Sequence, residues 1–282
     1  MPVVAVTGGS GKLGRAVVRE LLEHGWTVMN VDQRPSPDRG ARFLRIDLTD
    51  FGQVVEAFTG IDQAHTGVDA VVHLGAIPGP AQAGNAATFG NNILSTYHVF
   101  SAARLARVRN VVWASSETLF GYPFDDAPER LPLEETCEPR PNADYALEKL
   151  LAETAAAQFC RRDPQLSMTG LRFSNVLDET DYVEIPQWQD DPMLRRWNLW
   201  SYIDTRDGAR AVRLALEQPR PGSRVYAIFN DDTVMERPTQ ELVDLYYADV
   251  PRERDFVGHE ALVSTARAAA ELGWRPQHTW RD

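Results

Sequence analysis

Cysteine is nearly absent from this chain: Cys137 and Cys160 are the two in 282 residues. Two thiols cannot build a disulfide framework and their spacing matches no metal-ligand pattern, so both are expected to be reduced and structural, with no metal bound. Long apolar runs are also missing. Stretches such as AVVHLGAI at 70–77 are too short to span lipid as a helix. A strand-like run, Val3 to Val6, follows directly on Met1-Pro2, which leaves no room for a secretory leader and gives the expectation of a cytoplasmic protein. Positive charge is scarce as well. Lys and Arg number 29 against 40 acidic residues, a formal net charge of −11. That balance speaks against nucleic acid and anionic membrane as partners and leaves small molecules.

What is present is an apolar content of 43%, enough for a substantial core in one large domain or a domain with a small appendage. Short runs rich in Val and Ile lie at 3–6, 27–31, 68–74, 110–114 and 166–173, separated by segments of helical period. This βα alternation predicts a mostly parallel sheet covered on both faces. A helix is predicted over 15–24, with Ala16, Val17, Leu21 and Leu22 at helical spacing and Gly25 as its C-cap. Two longer helices are predicted over 88–107 and 144–161, the second with Ala146, Leu147, Leu150 and Leu151 on its buried side. The Pro-rich stretch 123–141 reads as one long loop, and loops of that length in a compact domain are usually functional.

The stretch TGGSGKLG, Thr7 to Gly14, sits where the first strand turns into the first helix. There glycine can take positive φ, backbone N–H groups are unpaired, and the helix dipole favours negative charge. The visitor this implies is a pyrophosphate, lined by Gly8, Gly11 and Gly14 because a Cβ at any of them would collide with it. An isolated glycine triplet would also fit a tight turn with no ligand. Context decides for the ligand: Asp32 ends the second strand 18 residues beyond Gly14, where a carboxylate accepts hydrogen bonds from the adenosine ribose. It would repel a 2′-phosphate, so NAD is favoured over NADP. Arg34 could pair with such a phosphate and keeps NADP open.

Thr7-Gly8-x-x-Gly11-x-x-Gly14, Asp47-Leu48, His73-Leu74-Gly75-Ala76, Asn92, Ser115-Ser116 and Tyr145-x-x-x-Lys149 together resemble the extended short-chain dehydrogenase/reductases, and within them the NAD-dependent epimerase/dehydratase group. LRFSNV at 171–176, WSYIDTRDGARAV at 200–212 and STARAAAELGWRP at 264–276 extend the resemblance over the whole chain. It implies a doubly wound α/β Rossmann-type domain over 1–175, to which 201–230 returns, and a small C-terminal substrate lobe over 176–282. It implies further that Lys12 and Leu13 join the glycines at the cofactor, that Asp47 and Leu48 touch the adenine, that Leu74, Gly75 and Ala76 flank the cofactor, and that Asn92 binds it. A homodimer is implied too, built by the helices over 88–107 and 144–161 pairing with their mates, with Leu94, Val99 and Phe100 as candidate contacts.

Tyr145 and Lys149 are four apart, one helical turn, and so share a face. An ammonium beside the phenol, with a positive nicotinamide ring nearby, stabilises the phenolate, so Tyr145 can act as a base near neutral pH. In the family's scheme that base takes a proton from a substrate hydroxyl while hydride leaves the same carbon, and a hydroxyl at the position of Ser116 orients the oxygen. Lys149 would also hold the nicotinamide ribose. Glu117 follows Ser116 where related dehydratases carry an acid, although a solvated loop glutamate is the commoner state. His73 reads as a hydrogen-bonded structural histidine rather than a base. On the substrate side stand Asn175, Arg195 and Arg196, the arginines able to clamp a phosphate or carboxylate or else to make surface ion pairs. Trp188, Trp197 and Trp200 could stack on a sugar or fill the lobe. The expected function is NAD-dependent hydride transfer at a secondary alcohol of a sugar or nucleotide sugar. A uronate-type sugar-acid dehydrogenase and a non-catalytic dinucleotide sensor are the alternatives.

Overall fold

The computed structural model describes residues 1–37, 40–62, 65–79, 82–124 and 127–282. Along the chain the strands are β1 (Val3–Thr7), β2 (Thr27–Asp32), β3 (Arg42–Arg45), β4 (Ala70–His73), β5 (Asn110–Ser116), β6 (Ser167–Phe173), β7 (Val176–Leu177), β8 (Ile203–Asp204) and β9 (Gly222–Ile228). The helices are α1 (Lys12–Glu23), α2 (Phe51–Thr59), α3 (Asn85–Leu105), α4 (Asp144–Arg162), α5 (Met193–Arg196), α6 (Thr205–Glu217), α7 (Thr239–Tyr246) and α8 (Ala266–Leu272). Seven strands form one sheet in the order β3-β2-β1-β4-β5-β6-β9, with every pairing parallel. This is the Rossmann-type α/β fold.

The alternation within β1 shows why helices must cover both faces. Val4 and Val6 pack with Val17 and Leu21 of α1 and Val212 and Leu216 of α6, while Ala5 faces the other way, toward Phe58 of α2, Phe100 of α3 and Phe159 of α4. Strands buried on both sides read as unbroken apolar runs, which made β1, β4 and β5 visible in the sequence. The edge strand β3, RFLR, carries an arginine at each end, as edges that must not pair further often do. Gly25 closes α1 in the left-handed region at φ +81°.

A third apolar cluster forms the lobe around Trp200, Tyr202, Phe229, Leu242 and Leu262; Phe120 and Tyr122 after β5, and Leu131 and Leu133 from the Pro-rich stretch, join it. In contrast, Ala268, Leu272 and Trp274 near the C-terminus return to the cluster on the α1 and α6 side. Among the described residues no helix is long and apolar enough to cross a membrane.

Two expectations about α3 and α4 change. Val99 and Phe100 are fully buried in the chain's own core, so they cannot be dimer contacts. Withdrawing a phenylalanine from that core would forgo about 1.5–3 kcal/mol. On α4 the buried side runs through Ala146, Lys149, Ala152 and Ala156, whereas Leu147 and Leu151 are 39% and 40% exposed. Together with Leu94 and Tyr97 of α3, at 42% and 55% exposure, they leave an apolar face outward.

Candidate active site

Strand order reverses at β1: β2 and β3 lie on one side, β4, β5 and β6 on the other. A crevice opens beyond the carboxyl ends of strands at such a reversal. The parallel register pairs Thr7 with His73, and Ser116 with Phe173. The glycine turn, the Leu74-Gly75-Ala76 turn, Ser116-Glu117 and Ser174-Asn175 therefore all leave the sheet at this end.

The three glycines of the turn do different work. Gly8 is left-handed at φ +71°, and a Cβ on it would lie 2.6 Å from the Gly75 nitrogen. A Cβ on Gly14 would stand 2.1 Å from the Gly8 carbonyl oxygen. At both positions the protein's own backbone already forbids a Cβ, a reason for glycine that needs no ligand. Gly11 differs: its Cβ would meet only the Gly8 oxygen, at 3.3 Å. It caps α1 with no side-chain hydrogen bond and with no acidic residue in the first turn, so no side chain caps the N–H groups at the positive end of the helix. Lys12 itself reaches across to Asp181, at 2.5 Å.

The Asp32 carboxylate accepts from the N–H groups of Ser10 (3.1 Å) and Arg34 (3.2 Å), which anchors the glycine turn and leaves lone pairs for further donors. Arg34 is exposed. Asp47 accepts from the Thr49 N–H and hydroxyl, and the Leu48 carbonyl accepts from His98. Asn92 is buried, and both ends of its amide are spent on Ile77: its Oδ1 accepts from the N–H at 2.8 Å and its Nδ2 donates to the carbonyl at 3.0 Å. It shapes the loop after β4.

Ser116 ends β5 and caps the short 3-10 turn Glu117–Phe120. Its oxygen accepts from the Thr118 N–H (3.2 Å) and from the Thr118 hydroxyl (3.0 Å). A serine hydroxyl has two acceptor positions and one proton. The backbone N–H can only give its proton, whereas in the hydroxyl pair either oxygen can donate; when Thr118 does, Ser116 keeps its own proton to offer outward. Neighbouring Ser115 points elsewhere and donates to Glu153, which also grips Arg172. Tyr145 opens α4, and the Lys149 ammonium lies 5.4 Å from its ring centre. Lys149 is buried; burial disfavours its charge, but Glu148 at 3.3 Å, together with Tyr145, outweighs that and holds the lysine above its usual range. His73 is buried between Thr7 and Thr96, and desolvation with the nearby Lys149 charge pushes it down to about 3, a neutral structural residue.

Glu117 is not the solvated loop residue that its surroundings in sequence favour. It is buried, accepts from the Ser174 hydroxyl at 2.6 Å, and desolvation pushes it up to about 8 despite opposing bonds and the Arg195 charge. The Asn175 backbone and the Asn198 side chain also bond it. Arg195 is sandwiched between Trp188 (4.6 Å) and Trp197 (5.1 Å), donates to the Ser201 carbonyl, and is lowered by burial to about 10. Arg196 turns away onto Tyr246 and Tyr247, and Trp200 is lobe core, bonded to the Pro192 carbonyl. Leu199 and Trp200 both sit at φ +56°, strained for side-chain-bearing residues at about 1–3 kcal/mol each. That turn sets Asn198 and Ser201 beside Arg195. Ser174, Asn198 and Glu148 were not anticipated. Only Glu148 left a usable signal, its helical spacing from Ala152 and Ala156 on the buried face of α4.

Residues 4–229 match the family described as NAD dependent epimerase/dehydratase. The chain belongs to this family. A UDP-glucose 4-epimerase of Corynebacterium glutamicum is 26% identical over 313 residues, covering 97% of this chain and 91% of that protein. An L-arabinose 1-dehydrogenase (NAD(P)(+)) of Haloferax volcanii is 28% identical, over 79% of this chain and 85% of that one. Among solved structures, MoeE5 in complex with UDP-glucuronic acid and NAD superposes with a TM-score of 0.72 at 26% identity, covering 99% of this chain and 95% of that one. Like its relatives in the epimerase/dehydratase family, the chain is an enzyme.

Proposed function

We propose that the protein binds NAD across the β1 reversal and moves hydride from a secondary alcohol of a sugar or nucleotide sugar. The residues present fit the cofactor: the uncapped N-terminus of α1 at Gly11, Lys12 and Leu13 takes the pyrophosphate, and the spare lone pairs of Asp32 take the adenosine ribose. Asp47 and Leu48 stand for the adenine side. Leu74, Gly75 and Ala76 form the flanking turn, held in shape by Asn92. When bound, the nicotinamide accepts the hydride. Every other step belongs to side chains of this chain: Lys149 holds the nicotinamide ribose and favours the Tyr145 phenolate, Tyr145 takes the hydroxyl proton, and Ser116 donates to the same substrate oxygen.

The observation that carries this reading is the buried Lys149 ammonium, held above its usual range with its nitrogen 5.4 Å from the Tyr145 ring centre, where it favours the phenolate that the scheme needs. Asn175, Glu117 and Arg195 form the substrate side, within the division into a nucleotide domain (1–175 with 201–230) and a lobe (176–282); Arg196 is not brought to them. The similarity to an arabinose dehydrogenase over most of both chains favours a second reading, net oxidation with release of NADH. The outward apolar face of α3 and α4 supports a homodimer, and we place the enzyme in the cytoplasm. Incubation with NAD and a panel of UDP-hexoses, free sugars and sugar acids separates the readings. An epimerase converts one UDP-hexose to its epimer with no net NADH, a dehydrogenase accumulates NADH with a free sugar, and a sensor binds NAD with neither outcome.

A further inference from the structure

Glu148 immediately precedes Lys149, has no exposed surface at all, and takes no part in the scheme above. A carboxylate so placed is costly unless it is paired and hydrogen-bonded. Its partners form a continuous buried chain. The Gly75 N–H donates to the Thr7 hydroxyl at 3.3 Å, the Thr7 oxygen lies 2.7 Å from His73 Nδ1, His73 Nε2 lies 3.2 Å from the Thr96 oxygen, and the Thr96 hydroxyl donates to Glu148 Oε1 at 3.3 Å. The direction of every bond follows from its end. A carboxylate only accepts, so Thr96 must give its proton to Glu148 and accept from Nε2–H; neutral His73 then accepts at Nδ1 from the Thr7 hydroxyl, whose oxygen remains for the Gly75 N–H. All the donors point toward Glu148. Its other oxygen, Oε2, has no hydrogen-bond partner and lies 3.3 Å from the Lys149 nitrogen.

We propose that Glu148 is a positioning residue for the hydride-transfer site: the buried counter-charge that keeps Lys149 an ammonium, fixed in place by a one-way hydrogen-bond chain that begins at the cofactor-flanking turn. Without a neighbouring anion, a lysine this deeply buried would lose its proton near neutral pH and with it the ability to hold ribose hydroxyls or favour a phenolate. Tyr145 on the same helix adds to the pull on the lysine less than Glu148 does, and His73 from β4 is neutral. Glu153 on α4 is engaged with Arg172 of β6 and Ser115 of β5, Glu117 with Ser174, and His98 of α3 with the Leu48 carbonyl. On β9, Tyr226 pairs with Glu271, and Arg224 donates to the carbonyls of Arg220 and Pro221.

The inference rests on the proposed cofactor role of Lys149, and a binding measurement separates the two. NADH, which survives alkali, is titrated into the full chain across a pH series and followed by its fluorescence. Wild type should hold its affinity up to about pH 10, because the lysine is held above its ordinary value. Glu148→Gln removes the charge but keeps the shape, and should lose about tenfold or more in affinity between pH 7 and pH 10 as the lysine deprotonates. Glu148→Asp keeps the charge and should restore the wild-type pH dependence, and Thr96→Val, which cuts the chain but leaves the charge, should not acquire the alkaline loss. A Glu148→Gln protein whose affinity follows pH as wild type does overturns the inference, as does an Asp variant that loses affinity like Gln. If wild type fails to bind NADH at all, it is the cofactor reading that falls.

Discussion

Replacing Gly14 by alanine should cost this protein stability, while the same change at Gly11 should cost it only its cofactor. At position 14 the added Cβ would lie 2.1 Å from the Gly8 oxygen and 2.7 Å from Gly9 Cα. Both are backbone atoms, in a turn pinned by hydrogen bonds from Gly8 N–H to the Val31 carbonyl and from Gly11 N–H to the Gly8 carbonyl. Alanine gains about 1 kcal/mol over glycine in a helix, whereas overpacking costs about 1–3 kcal/mol, and against immovable backbone the upper end applies, so the net loss is about 2 kcal/mol. At position 11 φ is −74° and the nearest obstacle stands 3.3 Å away, so the fold should tolerate a methyl. That methyl occupies the space a pyrophosphate must approach. Urea unfolding read by tryptophan fluorescence, beside an NADH titration, checks both halves. The Gly14 variant should unfold at lower urea with an unchanged m-value, and the Gly11 variant should unfold with wild type yet bind NADH poorly. A Gly14→Ala protein as stable as wild type, or a Gly11→Ala protein with full affinity, would refute the assignment of separate tasks.

Asp32→Ala should weaken NAD binding and narrow its advantage over NADP, because the repulsion of a 2′-phosphate disappears; a wild type that prefers NADP contradicts the reading. Glu117 binds its proton more tightly folded, at about 8, than at its ordinary 4.5, so its contribution to stability falls as pH rises from the lower value through the higher. Glu117→Gln should remove that fall, widening the stability gap over wild type by at most about 1.4 kcal/mol per pH unit; a gap that stays flat between acid and mildly alkaline buffer argues against a buried neutral carboxyl. The outward leucines predict that Leu147→Glu combined with Leu94→Glu yields a monomer by sedimentation from a dimeric wild type, and a wild type already monomeric at micromolar concentration would end the dimer proposal.

The order of elements was legible because strands buried on both faces write themselves as apolar runs, and because the turn from β1 to α1 needs glycine at fixed spacing. What escaped the sequence was the direction in which individual side chains point. Leu147 and Leu151 are apolar at helical spacing and still face outward, since α4 turns Ala152 and Ala156 inward, close against its neighbours. Glu117 looks like a loop glutamate, yet residues about 57 to 81 positions further on, Ser174, Arg195 and Asn198, fold over it. The edge strand β3, RFLR, lacks an apolar run because one side of it is unpaired. Gly8 and Gly14 illustrate the same limit within a motif: the pattern marks where side chains are forbidden, but only the packing shows whether a ligand or the protein forbids them.

The central claim is that Tyr145 is the base for hydride transfer to NAD. It is tested most directly by following NADH absorbance, under single-turnover conditions, when wild type and Tyr145→Phe loaded with NAD meet a substrate found in the panel above. Wild type should reduce its NAD, and the phenylalanine variant, with ring packing and cofactor affinity intact, should do so slower by a factor of about 10² to 10⁴. Reduction in Tyr145→Phe within about tenfold of wild type would contradict the account, since the loss of a general base leaves no such rate.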